Sequence, residues 1–358
     1  MISKPTTKDI FLGAPEAEAE ALVDSRIHLL DVFDDYFSVL EELKTEKFII
    51  TGRKGSGKSA IAEYMALRHK NKATNFFAFI KGSDINFESI LQLASGIADV
   101  SLNAPMLFQW VLLLNFCNMI SENELLASDK AVKNLKNFIL RNKDFLNFKG
   151  YEIKEILTTK KGEISVGLFK QALSGIVGRK ITEKSERVVF YKLISHINDI
   201  LFDLLKRDEI KQNKCSFTIL IDDLDIGLSK SDENAMMRLG DLIRLSKKYN
   251  HDFGIKGLSA KIIILLRDDI ANALRYSDAD MSKTFDSYEV RLSWYNHKVF
   301  NADENLTAIK RFINKRLAVA FKNKKIEFDA KDPWATLISP ELDRDETSSF
   351  KFLLFAAG

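Results

Sequence analysis

Residues 47–59, KFIITGRKGSGKS, set a short apolar run directly against a glycine-rich turn. Gly52, Gly57, Lys58 and Ser59 fit G-x-x-x-x-G-K-[ST], the P-loop pattern, with Arg53, Lys54, Gly55 and Ser56 between them. At the ordinary glycine usage of about 7%, this pattern arises by chance on the order of 0.01 times in a chain of this length. The run from Phe48 to Thr51 reads as a buried strand of a parallel sheet, which sets the turn at the sheet's carboxyl edge. Glycines let backbone N–H groups converge on one centre without Cβ obstruction. Residues 58–69 read as the following helix, with Ile61, Met65 and Arg68 at helical spacing, and its N-terminal end favours an anion. The candidate phosphate contacts are therefore Gly52, Arg53, Lys54, Gly55, Ser56, Gly57, Lys58, Ser59 and Ala60. Lys58 would reach the terminal phosphates, and the Ser59 hydroxyl would ligate Mg²⁺.

A second stretch belongs with the first. Residues 216–225, SFTILIDDLD, read as a buried strand ending in two carboxylates. In P-loop ATPases the first acid, here Asp222, holds the magnesium, and the second, here Asp223, polarises the attacking water. Acids after a strand also serve as helix N-caps, but the pairing with Gly52–Ser59 favours metal and catalysis. Residues 260–267, AKIIILLR, form a third apolar strand that ends in Arg267. Arg267 either meets charge at a γ-phosphate or pairs with Asp268, Asp269 or the acids at 222 and 223. No Asn-Lys-x-Asp guanine-reading motif occurs, which favours ATP over GTP.

Composition narrows the class further. The chain has 358 residues, 46% hydrophobic and 29% charged, which describes a folded globular protein with room for a sizeable core. Two cysteines far apart, Cys117 and Cys215, suggest neither a disulfide framework nor a zinc site, and a reducing cytoplasm is expected. The five histidines show no ligand spacing. The first residues lack a basic segment followed by an apolar core, so no signal peptide is expected. The most membrane-like run, residues 104–120, is short for a span and contains Gln109, Asn115 and Asn118, so a buried helix and no membrane contact are expected.

Along the chain, Pro15 and the glutamates after it mark a helix start. Leu22, Leu29, Leu30, Phe33, Phe37, Leu40 and Leu43 then recur at three- and four-residue steps, which predicts one amphipathic helix or two in succession against the sheet. Residues 73–80 read as the second strand, and helical patterns dominate a long insertion over about 87–210. Within it, residues 130–187 hold fourteen Lys or Arg against six Asp or Glu, a local +8 beside +3 for the whole chain. This is a solvated face or a surface for nucleic-acid phosphates, in which Lys160, Lys161, Arg179 and Lys180 would take part. Residues 231–249 read as a helix. Residues 288–294, YEVRLSW, alternate as a fifth strand, and residues 303–321 follow as a helix carrying Arg311 and Arg316, weak arginine-finger candidates better read as surface. The tail, 333–358, is sparsely patterned and ends on an apolar run, as a shortened version of a longer fold would. The expected organisation is an N-terminal helical segment over 1–45, an ATPase domain over 46–325 and a short C-terminal segment over 326–358.

The succession of a P-loop strand, a long helical insertion, LIDDLD, IILLRDD and an R-L-S-W strand resembles the KAP and STAND branch of P-loop ATPases. It resembles in particular bacterial members carrying F-L-G and E-A-E before G-R-K-G-S-G-K-S-A, which stand here as Phe11-Leu12-Gly13, Glu18-Ala19-Glu20 and residues 52–60. The resemblance spans most of residues 10–320. It implies an α/β core of five parallel strands in the order 5-1-4-3-2, with Asp222 on Mg²⁺, Asp223 as base and Arg267 as sensor. It also implies ATP-driven homo-oligomeric assembly, a partner effector and a place in bacterial anti-phage or stress modules. Relatives continue with a helical or winged-helix segment, which leaves the adenine lid open here. The leading functional expectation is an Mg-ATPase. The alternatives are a nucleotide-gated scaffold with little turnover and, last, a small-molecule kinase.

Overall fold

The computed structural model describes residues 10–70, 72–82, 104–141, 163–165, 187–189, 194–224, 233–294, 304, 307–341 and 348–356. The strands are β1 (Ile49–Gly52), β2 (Asn75–Lys81), β3 (Glu163–Ser165), β4 (Arg187–Val189), β5 (Ser216–Asp222), β6 (Ala260–Arg267) and β7 (Glu289–Leu292). The helices before the insertion are α1 (Ala17–Glu20), α2 (Leu29–Val32), α3 (Val39–Glu42) and α4 (Lys58–Lys70). Next come α5 (Ala104–Ser121), α6 (Lys130–Arg141), α7 (Ile194–Leu205) and α8 (Asp208–Gln212). After β5 follow α9 (Glu233–Ile255), α10 (Asp268–Ser277), α11 (Ala279–Tyr288), α12 (Ala308–Lys324), α13 (Pro333–Leu337) and α14 (Ser349–Ala356). The chain divides into two units, one of residues 46–51 with 68–289 and one of residues 1–45, 52–67 and 290–358.

The first unit is built on the sheet. Five parallel strands run in the order β2-β5-β6-β1-β7. The expected string of five strands did not include β3 and β4, an antiparallel pair inside the insertion that shifts the later labels. Numbered among themselves from the β7 edge, the five sheet strands read 5-1-4-3-2. The register sets Lys81 opposite Asp222 and Ile221 opposite Ile264, and the Ile264 N–H donates to the Phe48 carbonyl at 2.9 Å. β5 and β6 are buried along nearly their whole length because helices cover both faces, as their unbroken apolar runs require. β2 lies at the edge, and there Phe76 stacks on Phe217 of β5 with ring centroids 5.0 Å apart.

α5 is the buried helix that its length and polar residues foretell. Trp110, Leu113, Phe116 and Ile120 are buried, and Gln109 and Asn115 bond inside the protein. Gln109 donates to the Tyr249 hydroxyl at 2.9 Å, which donates to Asn198 at 2.8 Å, and Asn115 donates to the Val111 carbonyl. No helix among the described residues is long and apolar enough to cross a membrane. Cys117 and Cys215 are free and buried, and burial pushes the Cys117 thiol up to about 12. Most of the basic region lies outside the described residues, including Lys160, Lys161, Arg179 and Lys180. Two helices between β6 and β7, α10 and α11, went unread in the sequence, where Asp268 and Asp269 entered only as possible partners of Arg267. They occupy the first turn of α10, where carboxylates suit the helix's positive end.

In the second unit the N-terminal segment departs from the amphipathic helix expected of it. It forms three single turns, α1 to α3, with Ser38 in the left-handed region at φ 55° between the second and third. Leu22 and Val23 are exposed, while Ile10, Ile27 and Val32 pack with Leu317, Ala320 and Phe321 of α12 and with Trp334 and Phe350 of the tail. The apolar spacing is real, but α12 collects it from separate turns. Arg316, read as a surface residue, forks onto the buried Glu20 carboxylate at 2.5 and 2.9 Å. A side chain at Gly13 would begin 1.9 Å from that guanidinium, which accounts for glycine there. Arg311 pairs with Asp34 at 2.8 Å and lies over the Tyr36 ring. The sparsely patterned tail is folded: Trp334 donates to Ser349, and the buried Lys310 holds Glu304 and Asp332.

Two stability outcomes follow from these buried groups. Arg316→Ala strands the Glu20 carboxylate and should cost about 3–5 kcal/mol by urea unfolding, as breaking one partner of a buried pair does. His69 stacks on Phe77 with its Nδ1 buried and unbonded. Burial, aided by Lys72 and Arg68, lowers its pKa to about 4. The unfolded imidazole takes up a proton near pH 6.5 and the folded one only near 4, so stability falls as pH drops through that window. His69→Phe should lose less between pH 7 and 4.5 in urea midpoints. An equal loss would remove His69 from the acid response.

Candidate functional site: the glycine loop and the carboxylate strand end

In the second unit the loop from Gly52 to Ser59 adopts the backbone its glycines permit. Gly55 and Gly57 stand at φ 80° and 95°, a region costly for any other residue. The Ser56 N–H donates to the Arg53 carbonyl at 3.1 Å and closes a tight turn whose crest, Arg53 to Gly55, is exposed. Gly52 is needed for space, because a Cβ there would lie 2.3 Å from the Ser56 hydroxyl and 3.1 Å from Leu292 Cβ. α4 begins with the Ile61 N–H bonding to the Gly57 carbonyl at 3.1 Å. The amides of Lys58, Ser59 and Ala60 therefore precede the helical ladder and face its N-terminal end. The Lys58 chain is buried and folds back over the loop, its Nζ donating to the Gly52 and Arg53 carbonyls at 2.9 and 3.1 Å.

One contact here escaped the sequence reading. The Trp294 indole donates to the Ser56 carbonyl at 2.9 Å. Phe37 and Phe312 meet that indole edge-on, with centroids at 5.1 and 5.6 Å, and Tyr36 is tilted against it. The nearest signal is R-L-S-W, where Leu292 closes β7 beside Gly52 and Trp294 follows two residues on.

In the first unit, the parallel strands bring their charged ends to one edge. Asp222, buried, is the last residue of β5, beside Lys81 of β2, and Arg267 is the last of β6. β1 reaches the same edge with Thr51, and the chain passes from there into Gly52. Thr51 donates its hydroxyl to Glu289, which is also held by Arg275. The Asp222 carboxylate accepts the N–H of Asp223 at 2.8 Å, and the Asp222 carbonyl accepts the Gly82 N–H at 2.7 Å. Asp223 takes φ 57°, a conformation that Asp and Asn tolerate better than most side chains. Of the two readings of Arg267, the ion pair is present: it meets Asp269 at 2.9 Å. Asp225 lies outside the described residues.

The donor set suits a metal that arrives with a ligand. No group of three or more His, Cys, Asp or Glu among the described residues could hold an ion. A magnesium bound by one hydroxyl, one carboxylate, phosphate oxygens and water needs no such group.

A methyl at Gly82 would lie 2.3 Å from the Asp223 carbonyl, which is backbone and cannot swing aside. Gly82→Ala should therefore destabilise the protein by about 1–3 kcal/mol. The exposed Gly254, with nothing within 4 Å of an added Cβ, should accept alanine without loss in the same urea series. No family model matches this chain, and searches among curated proteins and solved structures return no match either.

Proposed function

We propose that this protein binds ATP with Mg²⁺ and hydrolyses it, as a P-loop ATPase. The observation that carries the reading is the loop backbone: two left-handed glycines, a lysine folded over the turn and a helix opening at its end. That combination concentrates N–H dipoles and one ammonium on a point, which suits a triphosphate. The first unit adds a reason of residue type, because β5 ends in the buried Asp222 with Asp223 next to it, the two acids such an ATPase uses.

On this reading each residue has a task. Lys58 exchanges its carbonyl acceptors for β- and γ-phosphate oxygens. The Ser59 hydroxyl and the Asp222 carboxylate would hold Mg²⁺, which when bound neutralises charge on the phosphates. Asp223 orients a water and accepts its proton as the oxygen attacks the γ-phosphorus, while the bond to the β–γ bridging oxygen breaks and ADP leaves. Arg267 would leave Asp269 to meet charge on the transferring group. A parallel sheet flanked by helices and the loop geometry are compatible with such a core. The resemblance to KAP and STAND proteins supplies the purpose: turnover that changes homo-oligomeric assembly or the pose of the insertion, acting on a partner effector or nucleic acid in a bacterial anti-phage or stress module.

Asp223→Asn is the discriminating variant, since asparagine accepts the same left-handed backbone. It should keep ATP binding and release phosphate on the order of 10²-fold more slowly, the usual scale for losing a general base. Lys58→Ala should lose binding itself. Equal phosphate release by Asp223→Asn and wild type would take Asp223 out of the mechanism. Tight binding with negligible turnover in the wild type would favour the nucleotide-gated scaffold.

A further inference from the structure

We infer that Trp294 is a positioning residue that aims the Gly57 amide of the glycine loop at the bound phosphate. The inference rests on reading Gly52–Ser59 as a triphosphate cradle. In a trans peptide the C=O and N–H of one plane point in opposite directions, and no peptide bond among the described residues is cis. The Ser56 carbonyl and the Gly57 N–H share such a plane. When the indole takes the Ser56 carbonyl at 2.9 Å, the Gly57 N–H is directed away from Trp294. The two ends of this short segment are fixed as well. The Ser56 N–H is held by the Arg53 carbonyl, and the Gly57 carbonyl starts the α4 ladder through Ile61. The peptide between Ser56 and Gly57 is thus the part of the segment whose orientation depends on a side chain outside the loop.

That dependence matters because of the residue types. Glycine at positions 55 and 57 makes the loop permissive, so the plane between 56 and 57 has no steric guide of its own. An amide with freedom to turn loses orientational entropy when it binds an anion, whereas a pre-aimed one does not. The indole is well placed to supply the constraint. Phe37, Phe312 and Tyr36 surround its ring, and Leu292, two residues earlier at the end of β7, lies beside Gly52. The Ser56 hydroxyl is buried without a hydrogen-bond partner, so it does not perform this task.

The test titrates inorganic tripolyphosphate and Mg-ATP calorimetrically into wild type, Lys58→Ala and Trp294→Phe. Phenylalanine keeps an aromatic ring in the cluster and removes the donor. Trp294→Phe should bind both ligands about tenfold more weakly, while Lys58→Ala loses them. A second readout needs no variant. The wild-type Trp294 indole N–H resonance, assigned through-bond among those of Trp110, Trp294 and Trp334, should shift when tripolyphosphate saturates the protein. Wild-type affinity in a folded Trp294→Phe, or an indole resonance that saturation leaves in place, would overturn the assignment and leave the cradle standing. A wild type that binds neither ligand would instead fail the cradle, and the assignment with it.

Discussion

The structure depends on a backbone constraint between β1 and α4: the chain must reverse in a few residues while turning amides toward one side. Only left-handed conformations do this, and glycine is the residue that adopts them without a Cβ penalty. Gly55 and Gly57 do so, and Gly52 leaves room for the Ser56 hydroxyl. The cost is that such a loop has little shape of its own. Its carbonyls are therefore held by groups outside the turn: Lys58 takes those of Gly52 and Arg53, and Trp294 takes that of Ser56. The loop is best understood as a flexible sequence held in one conformation by its surroundings.

The sheet supplies the second half of the design through direction alone. Because its strands are parallel, every strand delivers its last residue to the same edge, and β2, β5 and β6 each end there on a charge. Asp222, Lys81 and Arg267, distant from one another in sequence, are collected there by topology. Burial of Asp222 is tolerable because its carboxylate accepts an amide from Asp223 and its carbonyl one from Gly82. The left-handed turn at Asp223 is the local expense, accepted where the second acid must leave the line of the strand.

How much of this was legible follows from which contacts are local. β1, α4, β5 and β6 were readable because each carries its evidence in consecutive residues: an apolar run, a glycine pattern, a terminal charge. The N-terminal segment misled because three- and four-residue apolar spacing describes what is buried, not what is continuous; Ile27 and Val32 reach α12 from separate turns. Arg316 misled for the same reason, since a helix-borne arginine looks like surface until Glu20, almost three hundred residues away in sequence, is seen to receive it. α10 was hidden because it starts on Asp268, the residue directly after β6, with no turn between the two elements. The fold class and the loop residues were therefore in the sequence, and the pairings that hold them were not.

Trp294 shows why such holding residues are hard to find. A catalytic or ligating side chain is recognisable by type, because chemistry restricts which atoms can do the work. A residue that positions a backbone carbonyl needs only one N–H at the right place, and any element that passes nearby can supply it. What limits the choice is stiffness: the donor must not move when the loop is pulled. An indole enclosed by three aromatic rings meets that condition better than a lysine on a flexible stem, since two torsions rather than four must be fixed. The strand before it adds to the effect, because β7 ends at Leu292, which lies beside Gly52, two residues before Trp294. The same short stretch thus fills the space beside Gly52 and fixes the peptide that precedes Gly57, so that the loop's glycines can be permissive without being loose.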